Sequence, residues 1–213
     1  MKKPVSVLAA SLIAGTIFTS SVSPASASSY ADIEGTIYEE AVEFLMENYM
    51  TSGYPDRYGV EEPIKRVDAA VIMARYLELD LHTAPKTNFK DVPARATQAV
   101  AILKHHGIVY GKSDVYFGAT DNITRGEAAV IFYRAFGTET LEGTSENSTS
   151  TKFTDVTGRY VEAVNFLVER GVIQGKSNNR FGTTEPLTRG QFALMIHRMH
   201  LYYDKKPMEF VSS

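Results

Sequence analysis

Two stretches of this chain are copies of one another, in register and without a gap. Phe89-Lys90-Asp91-Val92 recurs as Phe153-Thr154-Asp155-Val156, and Ala99-Val100 recurs as Ala163-Val164. His106-Gly107-Ile108-Val109-Tyr110-Gly111-Lys112-Ser113 answers to Arg170-Gly171-Val172-Ile173-Gln174-Gly175-Lys176-Ser177. Phe117-Gly118 matches Phe181-Gly182, and Ile123-Thr124-Arg125-Gly126-Glu127 matches Leu187-Thr188-Arg189-Gly190-Gln191. Every pair is 64 positions apart. A fixed period of this size marks an array of supersecondary units that stack on one another.

A worn third copy precedes them. Tyr30-Ala31-Asp32-Ile33 stands for the aromatic-x-Asp-aliphatic opening, and Ile64-Lys65-Arg66-Val67-Asp68 for the later motif. Asp32 to Arg66, Asp91 to Arg125 and Asp155 to Arg189 are each 34 positions apart. The reading is a leader at 1–27, repeats at 28–82, 87–137 and 152–204, a Gly/Ser/Thr/Glu-rich linker at 138–151 and a tail at 205–213.

Each copy reads as helix, loop, helix. In the third, Tyr160, Val161, Ala163, Val164, Phe166 and Leu167 recur at helical spacing, and Gly171 supplies a C-terminal stop. Its second helix carries Phe192, Ala193, Met195, Ile196, Met199 and Tyr203; the second copy offers Ala99, Val100, Ile102 and Leu103, then Ala129, Ile131, Phe132 and Phe136. Two short helices cannot bury their apolar faces alone, so the copies must pack on each other. The fold class is all-α. With no cysteine in 213 residues, the apolar core must carry stability without disulfides or thiolate metal sites.

Lys2 and Lys3, the apolar stretch Val5 to Phe18, and Pro24-Ala25-Ser26-Ala27 read as an export leader cleaved after Ala27. The apolar run is short of the ~20 residues that span a bilayer, so the mature chain is expected outside the cell and off the membrane. Cleavage removes two lysines and no acid, which leaves 20 basic against 25 acidic side chains. That balance argues against nucleic acid.

The order aromatic-x-Asp-Val, alanine-centred helix, Gly-(Val/Ile)-x-x-Gly, Phe, (Ile/Leu)-Thr-Arg-x-(Glu/Gln) resembles the S-layer homology domain from Tyr30 to about Tyr203, most clearly in the second and third copies. The resemblance implies a pseudo-threefold bundle of three repeats on a secreted bacterial wall protein, in a Gram-positive organism. It also implies that the inter-repeat grooves bind anionic secondary cell wall polysaccharide, commonly through a pyruvylated amino sugar. Other surface-layer proteins are possible partners.

The Thr-Arg-x-Glu motif has two readings. Thr124 with Glu127, and Thr188 with Gln191, are capping boxes that need no arginine. Yet Arg66, Arg125 and Arg189 recur in all three copies, each just inside a helix N-terminus that favours anions. A guanidinium fork matches a carboxylate better than a lysine does. These arginines are therefore expected to bind the polysaccharide beside free backbone N–H groups, and to be dispensable for stability. Lys112 and Lys176 are the expected second cations, each following a loop glycine. The first copy departs from the pattern: Lys65 replaces the capping Thr, Asp68 replaces Glu, and its loop lacks Gly-Lys-Ser. Arg66 is accordingly expected to matter least.

His197 and His200, with His105 and His106, could hold a metal, but no carboxylate set completes the geometry. No nucleophile motif, phosphate loop or outstanding carboxylate pair appears, so neither a cofactor nor catalysis is expected. The other class left open is a structural or partner-binding surface protein whose repeats are scaffold.

Overall fold

A computed structural model describes residues 30–137 and 150–205. The leader, the tail beyond Lys205 and residues 138–149 of the linker lie outside the described residues. Among the described residues six α-helices run in order: α1 Glu39–Glu47, α2 Arg66–Tyr76, α3 Thr97–His105, α4 Arg125–Phe136, α5 Tyr160–Glu169 and α6 Arg189–Lys205, with 3-10 turns at Leu81–Thr83 and Ala94–Ala96. Among the described residues there is no strand, only three isolated β-bridges. The chain is all-α.

The first helix of each intact copy ends on a glycine. Gly107 (φ +71°) and Gly171 (φ +68°) take the left-handed conformation that lets the chain turn back. Ile108 N then donates to Leu103 O, and Val172 N to Leu167 O, each at 2.9 Å. The worn copy places Tyr49 at this point, at φ 56° and 86% exposed. A side chain there costs roughly 1–2 kcal/mol.

Extensive helix packing lies between repeats: α2 packs on α3, α4 on α5, and α6 on α1. Each copy lends its second helix to the first helix of the next, and the third copy closes the ring on the first. Val161, Ala163, Val164, Phe166 and Leu167 of α5 are buried, as are Phe192, Ala193, Met195, Ile196 and Met199 of α6. Tyr160 and Tyr203 pack at the edge of this core.

The three motifs meet at the axis. Ile64 N donates to Leu187 O (3.0 Å), Leu187 N to Ile123 O (2.9 Å), and Ile123 N to Ile64 O (3.1 Å). This cycle of backbone bonds satisfies three buried amides with nothing left over. The side chains of Ile64, Ile123 and Leu187 are at most 1% exposed. Around this centre the copies are related by an approximate threefold rotation.

The repeat-opening aspartates tie each copy's ends together. Asp91 accepts from Phe117 N, Gly118 N and Ala119 N at 2.7–2.8 Å. Asp155 does the same with Phe181, Gly182 and Thr183 at 2.7–2.9 Å, and Asp32 with Tyr58, Gly59 and Val60 at 2.6–3.1 Å. Each carboxylate fixes the turn that feeds the next motif.

Candidate functional site: three inter-repeat grooves

The caps form as geometry requires. Thr124 Oγ1 accepts from Glu127 N (3.2 Å) while Glu127 Oε2 accepts from Thr124 N (3.0 Å). Thr188 and Gln191 exchange the same pair at 3.3 and 3.4 Å. Lys65 makes no side-chain cap and instead donates to Asn122 Oδ1 at 2.8 Å.

The arginines differ from the sequence expectation. Each lies across the neighbouring copy and donates to two of its carbonyls. Arg66 Nε reaches Phe117 O (3.1 Å) and its Nη2 reaches Tyr110 O (2.9 Å). Arg125 reaches Phe181 O (3.0 Å) and Gln174 O (2.7 Å), and Arg189 reaches Tyr58 O and Ser52 O, both at 3.0 Å. The guanidiniums also stand 5.0, 4.8 and 4.6 Å from the ring centres of Phe117, Phe181 and Tyr58. Arg66 and Arg125 are 8% and 5% exposed. These side chains bridge neighbouring repeats, a structural part that the sequence expectation did not include.

The backbone N–H groups at these helix starts are likewise occupied. Arg125 N donates to Glu185 O and Gly126 N to Thr183 O, both at 2.9 Å. Arg66 N and Val67 N bond Asp121 O and Ala119 O at 2.8 and 3.2 Å, and Arg189 N and Gly190 N bond Glu62 O and Val60 O at 2.9 Å. No free donor array faces an anion there; the next repeat has taken it. What remains is one edge of each guanidinium. The Nη1 atoms of Arg125 and Arg189 have no hydrogen-bond partner among the described residues, and Arg66 Nη1 lies 3.8 Å from Glu127 Oε1.

That edge opens into a groove in every case. The first groove, about 510 Å³, is lined by Arg66, Tyr110, Lys112, Glu127, Arg134 and Arg159. The second, about 310 Å³, brings together Arg125, Gln174, Lys176 and Arg198, with Ile37 and Tyr38 opposite. The third, about 410 Å³, has Arg189 with Ser52, Tyr54, Asp68, Arg75 and Arg95. Each groove therefore joins the motif arginine of one repeat to the loop and second helix of the next. The worn loop of the first copy belongs to the groove of Arg189, and Arg66 faces the intact loop of the second copy. The worn loop, the ground for expecting Arg66 to matter least, is therefore not in the groove of Arg66.

Lys112 lines the first groove and Lys176 the second, but each is ion-paired. Lys112 Nζ is 2.6 Å from Asp121 Oδ2, and Lys176 pairs with Glu185, which Arg180 also contacts. The unanticipated cations are Arg75, Arg134 and Arg198, each nine positions after a motif arginine. Their spacing was visible in the sequence, but an arginine on a helix face ordinarily signals only solvent. A second recurrence, Arg95 and Arg159 at a 64-residue offset, supplies the remaining repeat's contribution to two of the grooves, Arg159 from the third repeat in the first and Arg95 from the second repeat in the third.

Burial pushes Arg66 below the usual arginine value; Glu127 pulls it back, while Arg159 and Arg134 depress it further. Burial likewise lowers Arg125, opposed by Glu185 and Asp155. A guanidinium stays charged under such shifts, so the grooves are positive within a chain of net charge −3. Screening over about 8 Å keeps that local charge effective.

His197 and His200 flank the Phe44 ring at centroid distances of 5.2 and 4.6 Å, where they serve the contact of α6 with α1. Among the described residues no group of three His, Cys, Asp or Glu side chains stands together as a metal site. No described helix is long and apolar enough to cross a membrane.

Comparison with known proteins agrees with this architecture. The chain is 32% identical over 177 residues to the surface-layer 125 kDa protein of Lysinibacillus sphaericus, covering 79% of this chain and 14% of that protein. It is 27% identical over 195 residues to an S-layer protein of Bacillus licheniformis, covering 89% of this chain and 21% of the relative. It is 30% identical over 155 residues to the cellulosome-anchoring protein of Acetivibrio thermocellus, covering 68% of this chain and 34% of the relative. The chain thus spans about a third or less of the length of each. The family model of the S-layer homology domain matches residues 88–129 and 152–193, and the chain belongs to the S-layer homology family.

Proposed function

We propose that this chain is a non-catalytic module that attaches to the bacterial cell wall by binding an anionic secondary cell wall polysaccharide in its inter-repeat grooves. Its site of action is the outer face of the wall, as for the S-layer proteins it resembles. The supporting observation is the pairing, in each groove, of a motif arginine with a second guanidinium from the adjoining helix: Arg66 with Arg134, Arg125 with Arg198, Arg189 with Arg75. Two guanidiniums facing one cleft suit a carboxylate such as that of a pyruvyl ketal on an amino sugar. Arg66, Arg125 and Arg189 then have a double role, two donors stapling the repeats and the third edge meeting the ligand, with Lys112 and Lys176 at the rim.

Co-sedimentation tests this reading. The chain should pellet with purified walls and stay in the supernatant when acid has stripped their polysaccharide. Equal pelleting on both preparations would favour a scaffold that binds another surface component.

A further inference from the structure

The three grooves share a plan but differ in charge. In the third, Arg95 Nη2 is 2.8 Å from Asp68 Oδ1, and Arg75 Nη1 donates to Tyr49 O and Met50 O at 3.3 and 3.1 Å. In the second, Ile37, 72% exposed, occupies the side where the others carry an arginine, and Arg198 Nη1 lies 3.4 Å from Val172 O. The first is different. No acid stands within ion-pair distance of Arg134 or Arg159 among the described residues. Arg134 lies 4.6 Å above the half-exposed Tyr110 ring, whose carbonyl Arg66 holds. Arg159 leans on its neighbour Tyr160 and donates to that hydroxyl at 2.9 Å. Three guanidiniums from three repeats converge on the largest of the three grooves, and Glu127 is the sole acid among the described residues lining it. One carboxylate against these three guanidiniums and Lys112 leaves an excess of like charge that repels itself and is relieved by an anion.

We propose that the groove of Arg66, Arg134 and Arg159 takes a saccharide segment with two anionic groups, one held by Arg66 and Arg134 and the second by Arg159, with a sugar ring against Tyr110. This rests on the polysaccharide-binding reading above and adds to it the ligand's charge pattern and the residue that selects it. One carboxylate is satisfied by one or two forks; the third guanidinium asks for another anion, either a phosphate or a uronate carboxylate. The equivalent arginine in the third groove is neutralised within the fold by Asp68, and the second groove has none, so selection for a second charge belongs to the first groove.

Calorimetric titration of the full chain would use three probes: the methyl glycoside of a pyruvylated N-acetylhexosamine, the same glycoside bearing a phosphate, and the same glycoside extended by one uronic acid. At least one doubly charged probe should bind tenfold or more tighter than the singly charged one, and which of them does so identifies the second anion. Arg159→Gln should reduce that ratio to below about twofold at an unchanged melting temperature, and Arg159→Lys should restore part of it, because a point charge replaces the fork. A wild-type ratio near one with measurable binding, or a ratio that survives Arg159→Gln, overturns the two-anion inference alone. Failure of all three probes to bind overturns it together with the polysaccharide reading.

Discussion

At the residue scale, the recurrence of Arg125 is plain in the sequence while the groups it holds are not. Its recurrence with Arg66 and Arg189 set it apart from an ordinary capping box, and that much was legible. The carbonyls of Gln174 and Phe181 that it holds were not, since every residue has a carbonyl and none leaves a mark in a sequence pattern. Removing the side chain strands the buried acceptor of Phe181, at about 1–3 kcal/mol, and the part-buried one of Gln174, at less where water can replace the donor. Arg125→Ala should therefore lower stability by roughly 2–4 kcal/mol in a denaturant or thermal melt, and a change below about 0.5 kcal/mol would show that the staple is idle. Asp155 offers a pH readout. Burial pushes its carboxyl up, but the N–H groups of Phe181, Thr183 and Gly182 outweigh that and bring it from an ordinary 3.8 down to about 2. A depressed carboxyl stabilises the fold above its unfolded value, and the benefit disappears as pH falls through the folded one. Melting temperature should thus drop between about pH 4 and pH 2 in the native chain. Asp155→Asn should melt lower than native at pH 7 yet lose less over that acid interval.

At the element scale, the helices and their stops could be read from spacing and from Gly107 and Gly171, but their partners could not. Apolar periodicity shows that α4 has a buried face without showing that the face meets α5, because every repeat carries an interchangeable pattern. The interfaces are nonetheless individually fitted. A Cβ on Gly126 would come within 2.6 Å of Thr183 Cγ2 and 3.0 Å of Thr183 O, and one on Gly190 within 3.0 Å of Val60 Cβ. In the remaining interface the sizes are reversed: Val67 takes the glycine position and Ala119 the bulky one, with Val67 N donating to Ala119 O at 3.2 Å. Overpacking of this kind costs about 1–3 kcal/mol. Gly126→Ala should destabilise by that order, and Thr183→Ala in the same chain should recover part of the loss. Purely additive losses across this double-mutant cycle would show that the two residues do not share a contact.

At the scale of the whole molecule, the threefold closure explains why copies of unequal quality persist together. The worn first repeat supplies α1 to α6 and α2 to α3, and its Ile64 completes the backbone cycle with Ile123 and Leu187. A chain ending at Gly137 loses the partners of α1 and α4 and two of the three axial bonds, so it should show no cooperative melt near the full-length temperature. The same closure builds the grooves, since none of them is lined by a single repeat. That is why a copy-by-copy reading could single out Arg66, Arg125 and Arg189 yet match them to the wrong loops. The most direct test of the groove account changes arginines that do not staple the repeats through two carbonyls. Arg134→Gln and Arg198→Gln combined should leave the melting temperature within a few degrees and weaken pelleting on polysaccharide-bearing walls at least tenfold, with the residual binding suppressed by salt. Undiminished pelleting by this folded double variant would contradict the account.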